Sequence, residues 1–189
     1  MIEQSAGMRI GNEFTLRAEI KANIIGGIQT IFSKRTPLST GNRPGLIVTL
    51  RGALIECMTF QNNGTTWKTA RTVRGIIKVG QKYEILVFRD GEHLDIYVNG
   101  IKRTHRRYKT VWPGDLNSDM DIFLGGQLYD SPPLSEQFTG KIYFVEFYDL
   151  AHLSGASPLR YPHNPFAFPL SQLPEKKKEL KLPINIERA

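Results

Sequence analysis

Between Asp115 and Asp121 an oxygen-bearing side chain falls on every second residue: Asp115, Asn117, Asp119 and Asp121. A Ca2+ ion takes about six to eight hard oxygens, and a loop of this kind could supply the first of them. Met120 stands where a helix-flanked calcium loop requires glycine, and no glutamate closes the set. Two readings therefore stand side by side, a Ca2+ site of another kind and a solvated turn in which Asp, Asn and Ser bond their own backbone. Just upstream, Trp112 sits beside Pro113-Gly114, and Tyr129 lies in the next loop. An exposed aromatic ring can stack on the apolar face of a sugar while polar neighbours bond its hydroxyls. Trp112 and Tyr129 are thus the candidate ligand-binding residues, with a cap on the end of the core as the competing role for Trp112.

Catalytic chemistry is harder to assemble. A retaining glycosidase needs two carboxyl groups about 5 Å apart, one as nucleophile and one as acid. Glu92 and Asp95 are three residues apart, as are Glu146 and Asp149, so on a strand each pair falls on opposite faces. His93, His105, His152 and His163 accompany no evident serine or cysteine nucleophile. Cys57, the only cysteine, excludes an internal disulfide and a cysteine zinc cluster. Within Leu54-Ile-Glu-Cys-Met-Thr-Phe60 it reads as an inert buried thiol. The expectation is a protein that is not an enzyme.

The densest basic run is Lys102-Arg-Thr-His-Arg-Arg-Tyr-Lys109, with Lys102, Arg103, Arg106 and Arg107 as its patch. A strand that is polar on both faces belongs at a sheet edge, where charge blocks unwanted pairing. A nucleic-acid surface would add aromatic platforms and a recognisable signature, and the sequence has no such signature. The formal net charge of +7 suits an anionic partner or simple solubility. No apolar run approaches the ~18 residues of a membrane span. The N-terminal residues lack a basic region followed by an apolar stretch, so synthesis in the cytoplasm without a secretory leader is expected.

Those residues must be positioned by strands. Phe14, Leu16, Ala18 and Ile20 alternate with Thr15, Arg17, Glu19 and Lys21, which is the period of a strand with one wet face. Ile28–Phe32, Leu46–Leu50, Ala53–Phe60 and Thr66–Val73 follow, the middle two joined at Arg51-Gly52. Asp90-Gly91 and Asn99-Gly100 then divide three β-rich runs, Lys82–Arg89, Glu92–Val98 and Ile101–Tyr108. Two-residue turns of this kind need positive φ at both positions and predict an antiparallel meander. Asp121–Gly126 and Phe138–Tyr148 complete about ten strands, with no long amphipathic helix. That pattern indicates an all-β, two-sheet antiparallel sandwich or jelly roll.

Taken in order, Phe14-Thr-Leu-Arg-Ala-Glu-Ile20, Ile31-Phe-Ser-Lys34, Leu86–Gly100 with its Ile-Tyr-Val-Asn-Gly ending, Ile122-Phe-Leu-Gly-Gly126 and Phe138-Thr-Gly-Lys-Ile-Tyr-Phe-Val-Glu-Phe-Tyr148 resemble the concanavalin A-like lectin/glucanase superfamily. Within it the resemblance is to laminin G-like and pentraxin-like domains, over roughly residues 8–153. It implies a jelly roll with loops clustered at its rim, and binding more often than catalysis. Many relatives carry Asp after the closing Gly-Ile pair, whereas here Tyr143 follows Ile142.

Residues 1–156 are expected to form that sandwich. Residues 157–189 hold six of the eleven prolines and no helical period, which predicts an extended docking arm. Its anchors are Phe166, Phe168, Leu180, Leu182, Ile184 and Ile186, and it can dock on its own domain or on a neighbouring subunit. The combined expectation is a non-catalytic, lectin-like module tied by its arm into a large assembly, such as a phage or viral particle. The alternatives are a free carbohydrate-binding lectin and a glycoside hydrolase or lyase. The expected partners are neighbouring protein subunits and a glycan, with no nucleic acid or membrane partner.

Overall fold

The computed structural model describes residues 10–11, 13–35, 44–60, 67–91, 93–106, 116, 122–127, 136–149 and 180–187, with the backbone alone for 67, 106, 149 and 180–187. Among the described residues there are twelve strands and no helix. In chain order they are β1 (Glu13–Ala22), β2 (Ile28–Arg35), β3 (Gly45–Arg51), β4 (Leu54–Phe60), β5 (Trp67–Thr72), β6 (Lys82–Asp90), β7 (Leu94–Val98), β8 (Ile101–Lys102), β9 (Thr104–Arg106), β10 (Phe123–Leu124), β11 (Gly140–Asp149) and β12 (Leu180–Glu187). They form two six-stranded sheets, in the order β12-β11-β1-β6-β7-β8 and β10-β2-β3-β4-β5-β9. Every pairing is antiparallel. The expected all-β jelly-roll sandwich is the observed fold.

Alternation decides which side chains meet between the sheets. Phe14, Leu16, Ala18, Ile20 and Ala22 of β1 are fully buried, and their register partners in β6 and β11 include Val87, Ile85, Phe147, Val145 and Ile142. The second sheet contributes Phe32, Leu46, Val48, Leu50, Ile55, Cys57 and Ala70 to the same core. The two layers are joined by stacked rings. Phe147 lies 5.7 Å from Phe14 in its own sheet and 6.2 Å from Phe32 in the opposite one. Cys57 is buried as expected, and burial pushes its thiol pKa up, so it is held as the unreactive thiol.

The motif residues have local reasons. Asn99 and Gly100 adopt φ of 48° and 75°, so the second turn is the two-residue, doubly positive-φ turn expected. The Asn99 side-chain oxygen also accepts the Glu84 N–H at 2.9 Å, extending the β6–β7 ladder. The first turn is shifted by one residue. Asp90 ends β6 without positive φ and closes the hairpin by donating its N–H to the His93 carbonyl at 3.2 Å, while Gly91 takes φ of 82°. The Asp90 carboxylate in turn accepts the His93 N–H at 2.6 Å, so the aspartate caps the turn rather than sitting at its tip. At Gly140, which opens β11 with φ of 145°, a Cβ would stand 2.2 Å from the Lys21 carbonyl oxygen; the closing strand needs glycine because β1 lies against its backbone.

The basic run does not form one edge strand. It is divided between β8, at the edge of the first sheet, and β9, at the edge of the second, with Arg103 crossing between them and donating its N–H to the Ile96 carbonyl at 2.8 Å. In the arm, β12 pairs within the chain against β11. Leu180, Leu182 and Ile186 stand in register with Phe147, Val145 and Ile142, all core residues. Ile184 falls where the register shifts, beside Pro183, whose missing N–H is tolerated on an edge strand. Phe166 and Phe168 lie outside the described residues.

The turn gives a direct check on this register. Asn99→Ala should lower stability by about 1 kcal/mol in a denaturant titration, through the lost hydrogen bond and the positive φ, whereas Asn99→Gly should recover the backbone part of that loss.

Candidate functional site

On β3, β4 and β5 the residues between core positions point away from the interior. Register lines up Thr30, Thr49, Glu56 and Arg71 in one row across four strands of the second sheet, and Arg106 of β9 stands opposite Arg71. Thr30, Thr49 and Glu56 are each 0% exposed although they stand on the outer face, so the row lies beneath surrounding atoms. A buried carboxylate is costly unless it is paired and hydrogen-bonded. Glu56 meets that demand from both sides. Arg71 donates through Nε at 2.5 Å to Oε1, and Arg51 through Nη1 at 3.4 Å to Oε2. The two arginine side chains remain 39% and 49% exposed, while Glu56 beneath them is not exposed. On neighbouring rows of this face Ile47 and Met58 stand between Ser33 and Thr69, and the Arg35 guanidinium lies 5.1 Å from the Phe60 ring centroid. Thr30 Oγ1 and Thr49 Oγ1 are buried without a hydrogen-bond partner among the described residues. The arrangement presents cationic, donor-only groups to solvent over a fixed, buried anion.

The outer face of the first sheet is built differently. Arg17 lies between two carboxylates, bonding Glu84 through Nε and Glu146 through Nη1, the latter at 3.2 Å. Its guanidinium is also 5.0 Å from the Phe144 ring centroid. Burial acts to lower the Arg17 pKa, but the Glu84 and Glu146 carboxylates outweigh it and raise it. Tyr148 donates its hydroxyl to Glu146 at 3.1 Å. Burial first, then the Glu146 charge, pushes the Tyr148 phenol up to about 12. These two carboxylates were invisible to a search along single strands, because 61 residues of sequence separate positions 84 and 146. With a guanidinium bonded to both, they form an ion network rather than an acid–nucleophile pair.

The residues singled out from sequence are distributed as follows. Trp112, Tyr129, Asp115, Asn117, Asp119 and Asp121 lie outside the described residues, as does Arg107. Between them, Leu116 is described. It is fully buried and donates its N–H to the Ile10 carbonyl at 3.1 Å, which ties that loop to the sandwich. Lys102 is paired with the buried Asp95 at 2.6 Å, so its charge is locally matched. Lys102 and Arg106 lie on edge strands of different sheets, with Arg103 between them. Among the described residues no cluster of His, Cys, Asp and Glu could hold a metal ion, and no helix is long and apolar enough to cross a membrane. The group that sequence reasoning missed is Arg51, Glu56 and Arg71. One signal was present: Glu56 is the lone charge within an otherwise apolar and uncharged strand.

A family profile described as the concanavalin A-like lectin/glucanases superfamily matches residues 3–155. The chain belongs to that superfamily and is a laminin G-like domain within it. No curated protein sequence matches the chain. Among solved structures it is similar to the CBM40 of Ruminococcus gnavus IT-sialidase bound to α2,3-sialyllactose, with a TM-score of 0.59, 14% identity and coverage of 73% of this chain and 76% of that one. It is also similar to domains LG4-5 of the mouse laminin α1 chain, with a TM-score of 0.57, 12% identity and coverage of 76% and 37%. A third likeness is to the heptameric SAP-like pentraxin of Limulus polyphemus, with a TM-score of 0.51, 15% identity and coverage of 76% and 67%. At these identities the likenesses establish the fold.

The Tyr148 shift has a testable sign. Its folded pKa lies above the unfolded value near 10, so the neutral phenol favours the folded state below pH 10 and that contribution fades as pH climbs towards 12. A phenolate absorbance titration should contain a step near pH 12, and Tyr148→Phe should remove it.

Proposed function

We propose that this domain is a non-catalytic, lectin-like binding module whose ligand is a glycan. The observation that carries the reading is the pair of half-exposed arginines, Arg51 and Arg71, fixed from beneath by the buried Glu56. Arginines held in place before binding lose little side-chain entropy when they donate to sugar oxygens. The fold likeness to a carbohydrate-binding module crystallised with sialyllactose supports the same class of ligand. Trp112 and Tyr129 are the proposed stacking rings, and Asp115, Asn117, Asp119 and Asp121 the proposed Ca2+ ligands at the rim. The full chain on a glycan array should give a defined set of bound sugars. Arg71→Gln should weaken that set about tenfold or more, and Trp112→Ala should remove it if the ring stacks on the sugar. A protein that binds nothing on the array, with or without Ca2+, would sink the reading.

The finer proposal is that the module is a subunit of a large assembly such as a phage or viral particle, tied in by its arm. One observation favours it. Strands β11 and β12 are neighbours in an antiparallel pair, which a loop of about two to five residues could join, yet 30 residues separate Asp149 from Leu180. At up to about 3.3 Å of chain per residue, a connection of that length exceeds what is needed to cross the roughly 5 Å between neighbouring strands. A tether of that length can carry the same strand to the β11 edge of another subunit. Cysteines placed at the register pair Lys141 and Glu187 test this in the full chain, since Cys57 is buried. The assembly reading expects oxidation to link chain to chain, while a disulfide closed only within single chains counts against it.

A further inference from the structure

We infer that the glycan bound at Arg51 and Arg71 is an acidic one, held through a carboxylate or sulfate group on the saccharide. The inference deepens the glycan reading above and rests on it.

It starts from a charge imbalance at one point of the second sheet. Two guanidinium groups face a single carboxylate, and each contacts a different oxygen of Glu56. In the backbone register, position 106 on the adjoining edge strand stands opposite Arg71. Among the described residues no ion pair other than that with Glu56 is made by Arg51 or Arg71. The first sheet has no such imbalance, because Arg17 is matched by both Glu84 and Glu146.

Geometry then selects the ligand chemistry. Glu56 is 0% exposed, so it cannot turn to accept hydrogen bonds from the hydroxyls of a bound sugar. What a ligand meets is donors only, from arginines whose side chains are 39% and 49% exposed. A guanidinium carries five N–H donors in a planar fork, and Glu56 engages only part of each. The remaining donors match the two or three oxygens of an oxyanion better than the single oxygen of a hydroxyl. A neutral sugar would leave the excess positive charge uncompensated. An acidic sugar compensates it.

The experiment is titration calorimetry on the full chain with three oligosaccharides matched in length: one neutral, one carrying a carboxylate and one carrying a sulfate. The inference expects at least one acidic ligand to bind about tenfold more tightly than the neutral one, with an affinity that falls as salt rises. The carboxylate and sulfate arms identify which oxyanion the site prefers. Arg71→Lys keeps the charge but not the fork, and should lose about tenfold of that preference. Removing the two arginines alone strands a buried carboxylate, so the second variant is Arg51→Gln/Glu56→Gln/Arg71→Gln, which leaves no charge in the cluster and should bind acidic and neutral ligands alike. Equal affinity of the unaltered protein for neutral and acidic ligands overturns this inference while leaving the glycan reading standing. An acidic preference that survives in Arg51→Gln/Glu56→Gln/Arg71→Gln overturns the assignment to this site. Failure to bind any of the three, together with a blank glycan array, overturns both readings.

Discussion

The structure depends on one constraint: two antiparallel sheets must bury one face each against the other. The stacked rings of Phe14, Phe147 and Phe32 show it most directly, because Phe147 touches a partner in its own sheet and another across the interface. Rings of this size dominate core energetics, at roughly 1.5–3 kcal/mol for each fully buried side chain. Once they are fixed inward, strand periodicity leaves no freedom for their neighbours. Shifting any strand by one residue would expose its whole core set, so register and facing are decided together.

That constraint is also what creates the chemistry of the outer faces. With Ile55 and Cys57 in the core, Glu56 must point outwards, and the register of β3, β4 and β5 brings Thr49 and Arg71 beside it. On the first sheet the same logic places Arg17 between Glu84 and Glu146. The two clusters look alike in composition but differ in balance. Two carboxylates around one guanidinium satisfy the cation from within the protein. Two guanidiniums over one buried carboxylate leave cationic donors facing solvent. Only the second arrangement calls for an external anion.

Most of the fold was legible in the sequence. Alternation in Phe14–Lys21, the Asn99-Gly100 turn and the closing Gly140 strand all act locally, through side-chain period and backbone φ, and the structure uses each as its residue types suggest. The errors arose where a choice depends on a distant neighbour. Asp90 reads as a turn residue by type, but its carboxylate binds the His93 N–H, and that moves the turn one place along. Lys102 to Arg106 reads as one polar edge strand. Nothing within the run says that two different sheets each have an edge to fill. The apolar period of the arm was readable at Leu180, Leu182 and Ile186, whereas the edge that accepts them was not.

The candidate site was less legible, for a physical reason. Glu56 could be noticed as a lone charge in an apolar strand, but its partners are set by cross-strand register, which no single segment encodes. Arg71 reaches it from the next strand and Arg51 from the strand before. By itself, then, the sequence determined the strands, most of the turns, the inward set and the family, because these follow from local period and φ. Tertiary structure alone decided which charges meet, which carboxylate is sealed from water and which guanidiniums are left half exposed above it. Those outcomes depend on contacts between strands far apart in the chain, and on burial that exists only after the two sheets have closed.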